Sequence, residues 1–275
     1  MATVSIIIPA FNEEQALGPV ITALRELPLE TEIIIVDDGS TDRTAAIAEE
    51  HGVRVVRHPM NMGYGYSVKD GIRAATCDVV VLSDADGTYP IDRIPDLVSE
   101  LHRGFHMVVG ARQGRAYHGS FLKRIARVIF KMIAEFMTGN RIPDVNSGFR
   151  ALRKSEVGPY LHDLCNGFSF TTTITLVYMF TGKMVGYMPI AYEVRVGHSK
   201  VHIIRDSLRT LQYIIETSVH YNPPKIFLLL SIITFLWSAL CVVWLGPASL
   251  LFGGLAALLV FAIGLVAEGL RKTPK

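Results

Sequence analysis

From Val4 to Gly110, short unbroken apolar runs alternate with stretches in which apolar residues recur every three or four positions. The runs are Val4–Ile8, Glu32–Val36, Val53–Arg57, Val79–Leu82 and Met107–Gly110. Dense in Val and Ile and bounded by Pro, Gly, Asp or Asn, they predict strands buried on both faces. Between them, Leu17, Val20, Ile21 and Leu24 mark one face of a helix, with Asn12 as its expected N-cap and Glu13 and Glu14 in its first turn. Further helices are expected from Asp42 to about His51, over Tyr66–Ala75 and over Asp92–Arg103. Strands alternating with helices through short connections predict an α/β fold, a mainly parallel sheet covered by helices on both faces.

After Ser120 the period of the pattern changes. Phe121, Leu122, Ile125, Val128, Ile129, Met132, Ile133, Phe136 and Met137 fall at helical spacing, opposite Lys123, Arg124, Arg127 and Lys131. This predicts a basic amphipathic helix over about 120–138, suited to a membrane interface. A second such helix is expected over 201–223, where Ile204, Leu208, Leu211 and Ile215 oppose Arg205 and Arg209. Ile226–Leu245 and Ala248–Ala267 are then two charge-free runs separated by Gly246-Pro247, each long enough to span a hydrocarbon core of about 30 Å. The expected organisation is a catalytic domain over 1–200, a juxtamembrane helix over 201–223 and a two-helix transmembrane hairpin over 225–270. Lys225 precedes the hairpin and Arg271, Lys272 and Lys275 follow it, so the positive-inside rule places both ends and the catalytic domain on the cytoplasmic side of the inner (plasma) membrane.

Composition refines this little. The net charge is +2, which gives no sign of a nucleic-acid partner, and the 50% hydrophobic content is concentrated toward the end of the chain. Cys77, Cys165 and Cys241 form no CxxC pair, and they are expected to be reduced. No secretory signal peptide is expected before the strand at Val4.

The candidate chemistry lies where strands stop. Val79–Leu82 runs into Ser83-Asp84-Ala85-Asp86-Gly87-Thr88-Tyr89-Pro90. Two carboxylates one residue apart can share a hard divalent cation with phosphate oxygens, and in open α/β sheets ligands bind beyond the carboxyl ends of strands. The same position after a strand is occupied by Asn12 and by Asp37-Asp38-Gly39-Ser40-Thr41-Asp42. Gly63-Tyr64-Gly65 has Val68 where a third glycine would complete a dinucleotide fingerprint, and the sequence contains no GxxxxGK[ST] phosphate loop.

Taken in order, Ile8-Pro9-Ala10-Phe11-Asn12-Glu13-Glu14, Val36 to Asp42 and Asp84-Ala85-Asp86-Gly87 resemble the motifs of family 2 inverting glycosyltransferases of GT-A fold. Asn146-Ser147-Gly148-Phe149-Arg150 and Arg195 to Lys200 resemble two later motifs of the branch that uses polyprenyl phosphates, dolichol or undecaprenyl phosphate, as acceptor. The resemblance covers roughly residues 3–210, and the hairpin matches the two-span members. It implies a metal-dependent hexosyltransferase that moves a sugar from a nucleotide-sugar to a polyprenyl phosphate, with UDP-glucose the favoured donor, GDP-mannose next and UDP-N-acetylhexosamine open. Pro9, Phe11 and Glu13 would line the nucleoside pocket, with Asp37 on the base and Asp38 nearby. Asp84, Ala85 and Asp86 would meet the nucleotide-sugar, the two carboxylates as metal ligands for Mg²⁺ or Mn²⁺ and as catalytic residues. Arg195, Ser199 and Lys200 would close over the diphosphate, Arg195 and Lys200 as catalytic cations. Arg112, Lys123, Arg124 and Arg127 are the candidates for the acceptor phosphate. A phosphate nucleophile needs no general base, although Asp86 and Asp144 are the carboxylates at hand. A homo-oligomer, a tetramer, is implied by resemblance alone. Thr88 departs from the Gln that mannose synthases often carry there. The alternative is a membrane-bound transferase acting on a hydroxyl of a lipid-linked saccharide or surface polymer. A processive polysaccharide synthase is disfavoured, because the only tryptophans, Trp237 and Trp244, lie in the first apolar span and make no QxxRW motif.

Overall fold

The computed structural model describes residues 3–114, 121–193 and 203–272, with side chains except at 121–127, 203–206, 245 and 272. Its strands are β1 Val4–Ala10, β2 Thr31–Asp37, β3 Arg54–Arg57, β4 Val79–Leu82, β5 Met107–Gln113, β6 Arg150–Arg153 and β7 Val185–Ala191. They form one seven-stranded sheet in the order β3-β2-β1-β4-β6-β5-β7. The helices are α1 Leu17–Arg25, α2 Thr44–Glu50, α3 Tyr64–Ala74, α4 Ile94–His102, α5 Phe121–Thr138, α6 Lys154–Val157, α7 Phe170–Phe180, α8 Ile203–Tyr221, α9 Pro223–Leu245 and α10 Ala248–Lys272.

Successive residues of a strand point to opposite faces, so an unbroken apolar strand feeds two cores. On one face Ile6, Ile8, Ile35 and Val81 pack with Leu17, Val20, Ile21 and Leu24 of α1 and with Ile94, Leu97 and Leu101 of α4. On the other, Ile7, Ile34, Val36, Val80 and Leu82 pack with Val68 and Ile72 of α3 and with Phe170, Ile174 and Val177 of α7. The register aligns Ile7 with Ile34 on one side and with Leu82 on the other. α3 lies very close to this layer: a β-carbon on Gly71 would come within 2.3 Å of Ile7 Cγ2, so only glycine fits that crossing.

The mixed α/β sheet with helices on both faces agrees with the pattern read from the sequence, and two strands extend it. β6 enters antiparallel between β4 and β5. β7 adds parallel to β5 at the edge, with Pro189 exposed there, where a missing N–H is tolerated. One expectation is corrected. Asn12 is not the N-cap of α1, and Glu13 and Glu14 are not in its first turn, because the helix starts at Leu17. Asn12 instead takes a left-handed conformation, φ 51°, and turns the chain toward the loop after β2.

α5 presents two apolar stripes rather than one. Phe130 and Ala134 are buried against Ile142, Val145, Leu176 of α7 and Ile214 of α8, and Met137, on the same stripe, is buried as well. Ile129, Met132 and Phe136 form the neighbouring stripe and are exposed. A helix advances 100° per residue, so residues 130, 134 and 137 sit one step around from 129, 132 and 136. α9 and α10 pair as a hairpin, tied by the Ser231 hydroxyl donating to the Ala257 carbonyl at 2.8 Å. Both are long and apolar enough to cross a membrane. Their outer surface is apolar, with Trp244 86% and Leu251 79% exposed. Lys225, in the first turn of α9, donates to the carbonyls of Phe136 and Met137 at 3.4 and 3.2 Å, so the exposed stripe of α5 ends where the apolar hairpin begins.

Candidate active site

β1, β2, β4, β5 and β7 run in one direction and end at one edge of the sheet, and β6 starts there. Six segments therefore meet at this edge: the stretches that follow Ala10, Asp37, Leu82 and Ala191, the end of β5, and the approach to Arg150.

The first two segments are laced together by short polar side chains. The Asn12 amide donates to Ser40 Oγ at 2.9 Å, and Asn12 Oδ1 accepts the Thr41 N–H at 2.8 Å. The Glu13 amide donates to Thr44 Oγ1 at 2.8 Å. Pro9 is partly exposed at the end of β1, opposite Val36. Phe11 and Glu13 follow it, also partly exposed. Asp37 is buried at the end of β2 and accepts the Ser40 N–H at 3.2 Å. The arrangement brings Pro9, Phe11, Glu13 and Asp37 to one corner of the edge.

Asp38 does different work. One of its oxygens accepts from His58 Nδ1 and from the Met62 N–H, both at 2.8 Å, and the other accepts the Gly63 N–H at 2.9 Å. Its carboxylate is turned to the loop that opens α3 and fixes where Tyr64 stands.

The Asp84–Asp86 turn is built in the same way. Asp86 is buried, and one of its oxygens accepts the Thr88 N–H at 3.1 Å and the Thr88 hydroxyl at 2.6 Å. Ala85 between the carboxylates is buried. Asp84 lies against the chain that enters β6: a β-carbon on Gly148 would stand 2.9 Å from an Asp84 oxygen and 2.8 Å from the Tyr64 hydroxyl. Burial first, and the Asp84 charge second, hold the Tyr64 phenol well above its ordinary pKa, so it is a neutral O–H beside a carboxylate. Gly148 is pinned from the other side, its N–H donating to the Tyr89 hydroxyl at 2.8 Å, while Tyr89 stacks on Phe149 with ring centroids 5.3 Å apart. If Asp84 has the role that the resemblance implies, Gly148→Ala is expected to displace it and lower kcat about a hundredfold, the cost of misplacing such a group by ~1 Å. Steady-state kinetics at saturating donor, set beside thermal unfolding, checks it; an unchanged kcat would show that the loop yields without moving the carboxylate.

Beneath this loop Arg150 is fully buried. It donates to the carbonyls of Ser147 at 2.7 Å and Val145 at 3.1 Å and to Thr175 Oγ1 at 2.8 Å. Burial lowers its pKa, but guanidinium remains cationic at neutral pH. It acts as an internal cross-brace that sets the carbonyls of the 145–147 turn.

Arg112, expected to face the acceptor phosphate, closes its fork on Asp144, with Nε to Oδ2 at 2.7 Å and Nη2 to Oδ1 at 3.0 Å. Asp144 also accepts the Asn146 N–H at 3.1 Å, and the Arg112 guanidinium lies 5.3 Å over the Tyr192 ring. Burial alone would raise the Asp144 carboxyl, but the Arg112 charge and hydrogen bonds bring it below its ordinary value. Asp144 is thus an ionised, paired carboxylate and a poor general base. The side chains of Lys123, Arg124 and Arg127, and all of Arg195, Ser199 and Lys200, lie outside the described residues.

Tyr64, Tyr89, Gly148, Thr88 and Arg150 were not singled out for roles from sequence. Two signals pointed to some of them: the Asn146–Arg150 motif had no assigned work, and an arginine opening a buried strand needs partners. As to a metal, Asp84 and Asp86 are hard oxygen donors of the kind Mg²⁺ and Mn²⁺ prefer. Among the described residues there is no group of three or more His, Cys, Asp or Glu able to hold an ion by itself. The donor set therefore fits a cation whose remaining ligands are phosphate oxygens and water.

Residues 5–158 match the family model described as glycosyl transferase family 2. A dolichyl-phosphate hexose transferase of Haloferax volcanii is 30% identical over 202 residues, covering 72% of this chain and 86% of that protein. An undecaprenyl-phosphate 4-deoxy-4-formamido-L-arabinose transferase of Enterobacter sp. is 32% identical over 230 residues, covering 80% of this chain and 68% of that protein. Among solved structures, glucosyl-3-phosphoglycerate synthase of Mycobacterium tuberculosis, in complex with Mn²⁺, UDP and glucosyl-3-phosphoglycerate, superposes with a TM-score of 0.64 at 21% identity, covering 79% of this chain and 80% of that one.

Proposed function

Because the chain belongs to glycosyl transferase family 2, we propose that it moves one sugar from a nucleoside-diphosphate sugar to a polyprenyl phosphate at a membrane surface. The observation that carries the proposal is the placing of Asp84 and Asp86 at the open edge of a sheet in a chain that also carries a long apolar hairpin. The names of the Haloferax and Enterobacter relatives support the acceptor, and the Mn²⁺ and UDP complex of the mycobacterial neighbour supports the donor class and a divalent cation. UDP-glucose is the first donor proposed and GDP-mannose the second.

In this reading Pro9, Phe11, Glu13 and Asp37 line the nucleoside corner, and Asp38 shapes it from behind by fixing the loop to Tyr64. Asp84 and Asp86 would hold Mg²⁺ or Mn²⁺. Such a cation supplies charge stabilisation at the diphosphate as the sugar leaves. Arg195, Ser199 and Lys200 would close on the same diphosphate, and fixed cations there stabilise the leaving group without reorganisation. The acceptor brings its own nucleophile. A phosphate monoester is largely dianionic at neutral pH, its second pKa being about 6, so it needs orientation more than deprotonation. Lys123, Arg124 and Arg127 of α5 are proposed to orient it. Arg112, already neutralised by Asp144, is proposed to brace the site from its outer end. A single displacement inverts the anomeric centre and gives a β-linked product from an α-linked donor.

The exposed stripe Ile129, Met132 and Phe136 beside the first turn of α9 would lay α5 along the lipid surface, where a prenyl chain presents its phosphate. With the basic residues that flank the hairpin, this supports a cytoplasmic catalytic domain. A donor panel tests the proposal. Purified full-length protein in detergent receives polyprenyl phosphate, Mg²⁺ or Mn²⁺ and one radiolabelled UDP- or GDP-sugar at a time. Label passing into the organic phase with a single donor is the expected result. Label passing only to a water-soluble acceptor would replace the phosphate acceptor with a hydroxyl.

A further inference from the structure

We propose that Thr88 is a positioning residue whose hydroxyl fixes the Asp86 carboxylate in the orientation that binds the cation; this rests on the reading of Asp84 and Asp86 as a cation site. Thr88 is completely buried, although it lies in a loop at the open edge of the sheet. Its N–H and its Oγ–H both point to the same oxygen of Asp86, at 3.1 and 2.6 Å. The hydroxyl bond is the shorter and is a charge-assisted O–H to carboxylate contact. From behind, the Thr88 carbonyl accepts the Glu193 N–H at 3.0 Å, just past the end of β7. The next residue, Tyr89, is held between Phe149 and Tyr192, at 5.3 and 5.5 Å between ring centroids. Thr88 is therefore fixed by the sheet on one side and grips a ligand carboxylate with the other.

An Asp turn alone would need only the backbone N–H, which every residue but proline offers. The second donor is what Thr adds, on a β-branched side chain with few rotamers. A carboxylate already held in one orientation loses less freedom when an ion binds, and that difference appears as affinity. The same residue joins Asp86 to the chain that leaves β7 toward Arg195, so the cation site and the start of that segment share one anchor.

Mn²⁺ binding to the full-length protein in detergent with UDP present, the Mn²⁺ held by UDP alone being subtracted, followed by the electron paramagnetic resonance of the free ion, tests this on wild type, Thr88→Val and Thr88→Ser. Val keeps the shape and the backbone bonds and removes only the hydroxyl donor. The expected result is a Kd for Mn²⁺ raised about tenfold or more in Thr88→Val, the equivalent of one hydrogen bond to a charged group. Thr88→Ser should return it close to wild type. Thr88→Ala makes the same comparison if Val shifts the melting temperature. Equal affinity in wild type and Thr88→Val would overturn the role of Thr88 and leave the cation site standing. Equal weakening in the Val and Ser variants would assign the effect to packing and also overturn it. A wild type that takes up no Mn²⁺ would remove the cation site itself, and the proposal with it.

Discussion

Asp86→Asn is expected to lower sugar transfer by at least about a thousandfold while leaving the melting temperature unchanged. The substitution removes one negative charge from the proposed two-carboxylate donor set. A bound cation supplies several kcal/mol of charge stabilisation, and each 1.36 kcal/mol is roughly tenfold in rate. The fold should not notice, because the Asn carbonyl can still accept both Thr88 donors that now hold the carboxylate. Organic-extractable label at saturating donor and Mn²⁺, beside a thermal unfolding curve, measures both halves. Full activity in this variant, or in protein stripped with EDTA, would take the metal out of the reaction.

Arg112→Ala is expected to act on stability as strongly as Asp86→Asn acts on rate. It leaves Asp144 buried and ionised with its bidentate partner gone. Breaking such a pair from one side costs about 3–5 kcal/mol, or roughly 10 °C in melting temperature for a chain of this size. The dependence on pH should change sign between the two proteins. In wild type the Asp144 carboxyl lies below its ordinary value, so its contribution is complete above about pH 4, the unfolded value, and is lost as pH falls through the lowered one. In Arg112→Ala burial is opposed only by the backbone N–H groups of residues 112 and 146 and is expected to raise the carboxyl, so the deficit is greatest at neutral pH and shrinks on acidification. Circular dichroism melts between about pH 2 and pH 8 distinguish the two. A variant as stable as wild type at pH 7 would mean that Asp144 finds another partner.

The parts of the fold that could be read from sequence are those where local pattern and tertiary role coincide. β1, β2 and β4 are apolar on both faces because helices cover both, and an unbroken Val and Ile run records this directly. Asp84 and Asp86 were legible because the run stops at them. β6 was not, since it is four residues long and opens on Arg150, a residue that would ordinarily argue against burial. What makes it a strand is β4 and β5 on either side. β7 has an irregular burial pattern and contains Pro189, and α7 hides its helical period in Thr171, Thr172, Thr173 and Thr175, all buried. Three of those hydroxyls bond to the carbonyls of Phe170 and Thr171 or to Asn146. Asn12 misleads as a cap, and the loop-tying work of Asp38 is hidden, for a related reason. Each is a good local cap or pocket residue by type, and each is used to tie one loop to another distant in sequence. The work of Tyr64, Tyr89 and Gly148 depends on contacts across 59 residues and more, which no local pattern carries.

The Arg112–Asp144 pair has an architectural consequence. Its partners are 32 residues apart and stand at the two points where the chain leaves β5 and returns toward β6. The excursion between them, which includes all of α5, is stapled shut at its base. Closing a loop depends only weakly on its length, each doubling costing about 0.6 kcal/mol, so the staple lets that excursion grow, shrink or change its surface while the donor half stays in register. On the proposed reading, the part of residues 113–143 that is not packed on α7 and α8 is an exchangeable surface, within which acceptor preference would drift without the nucleotide corner being rebuilt.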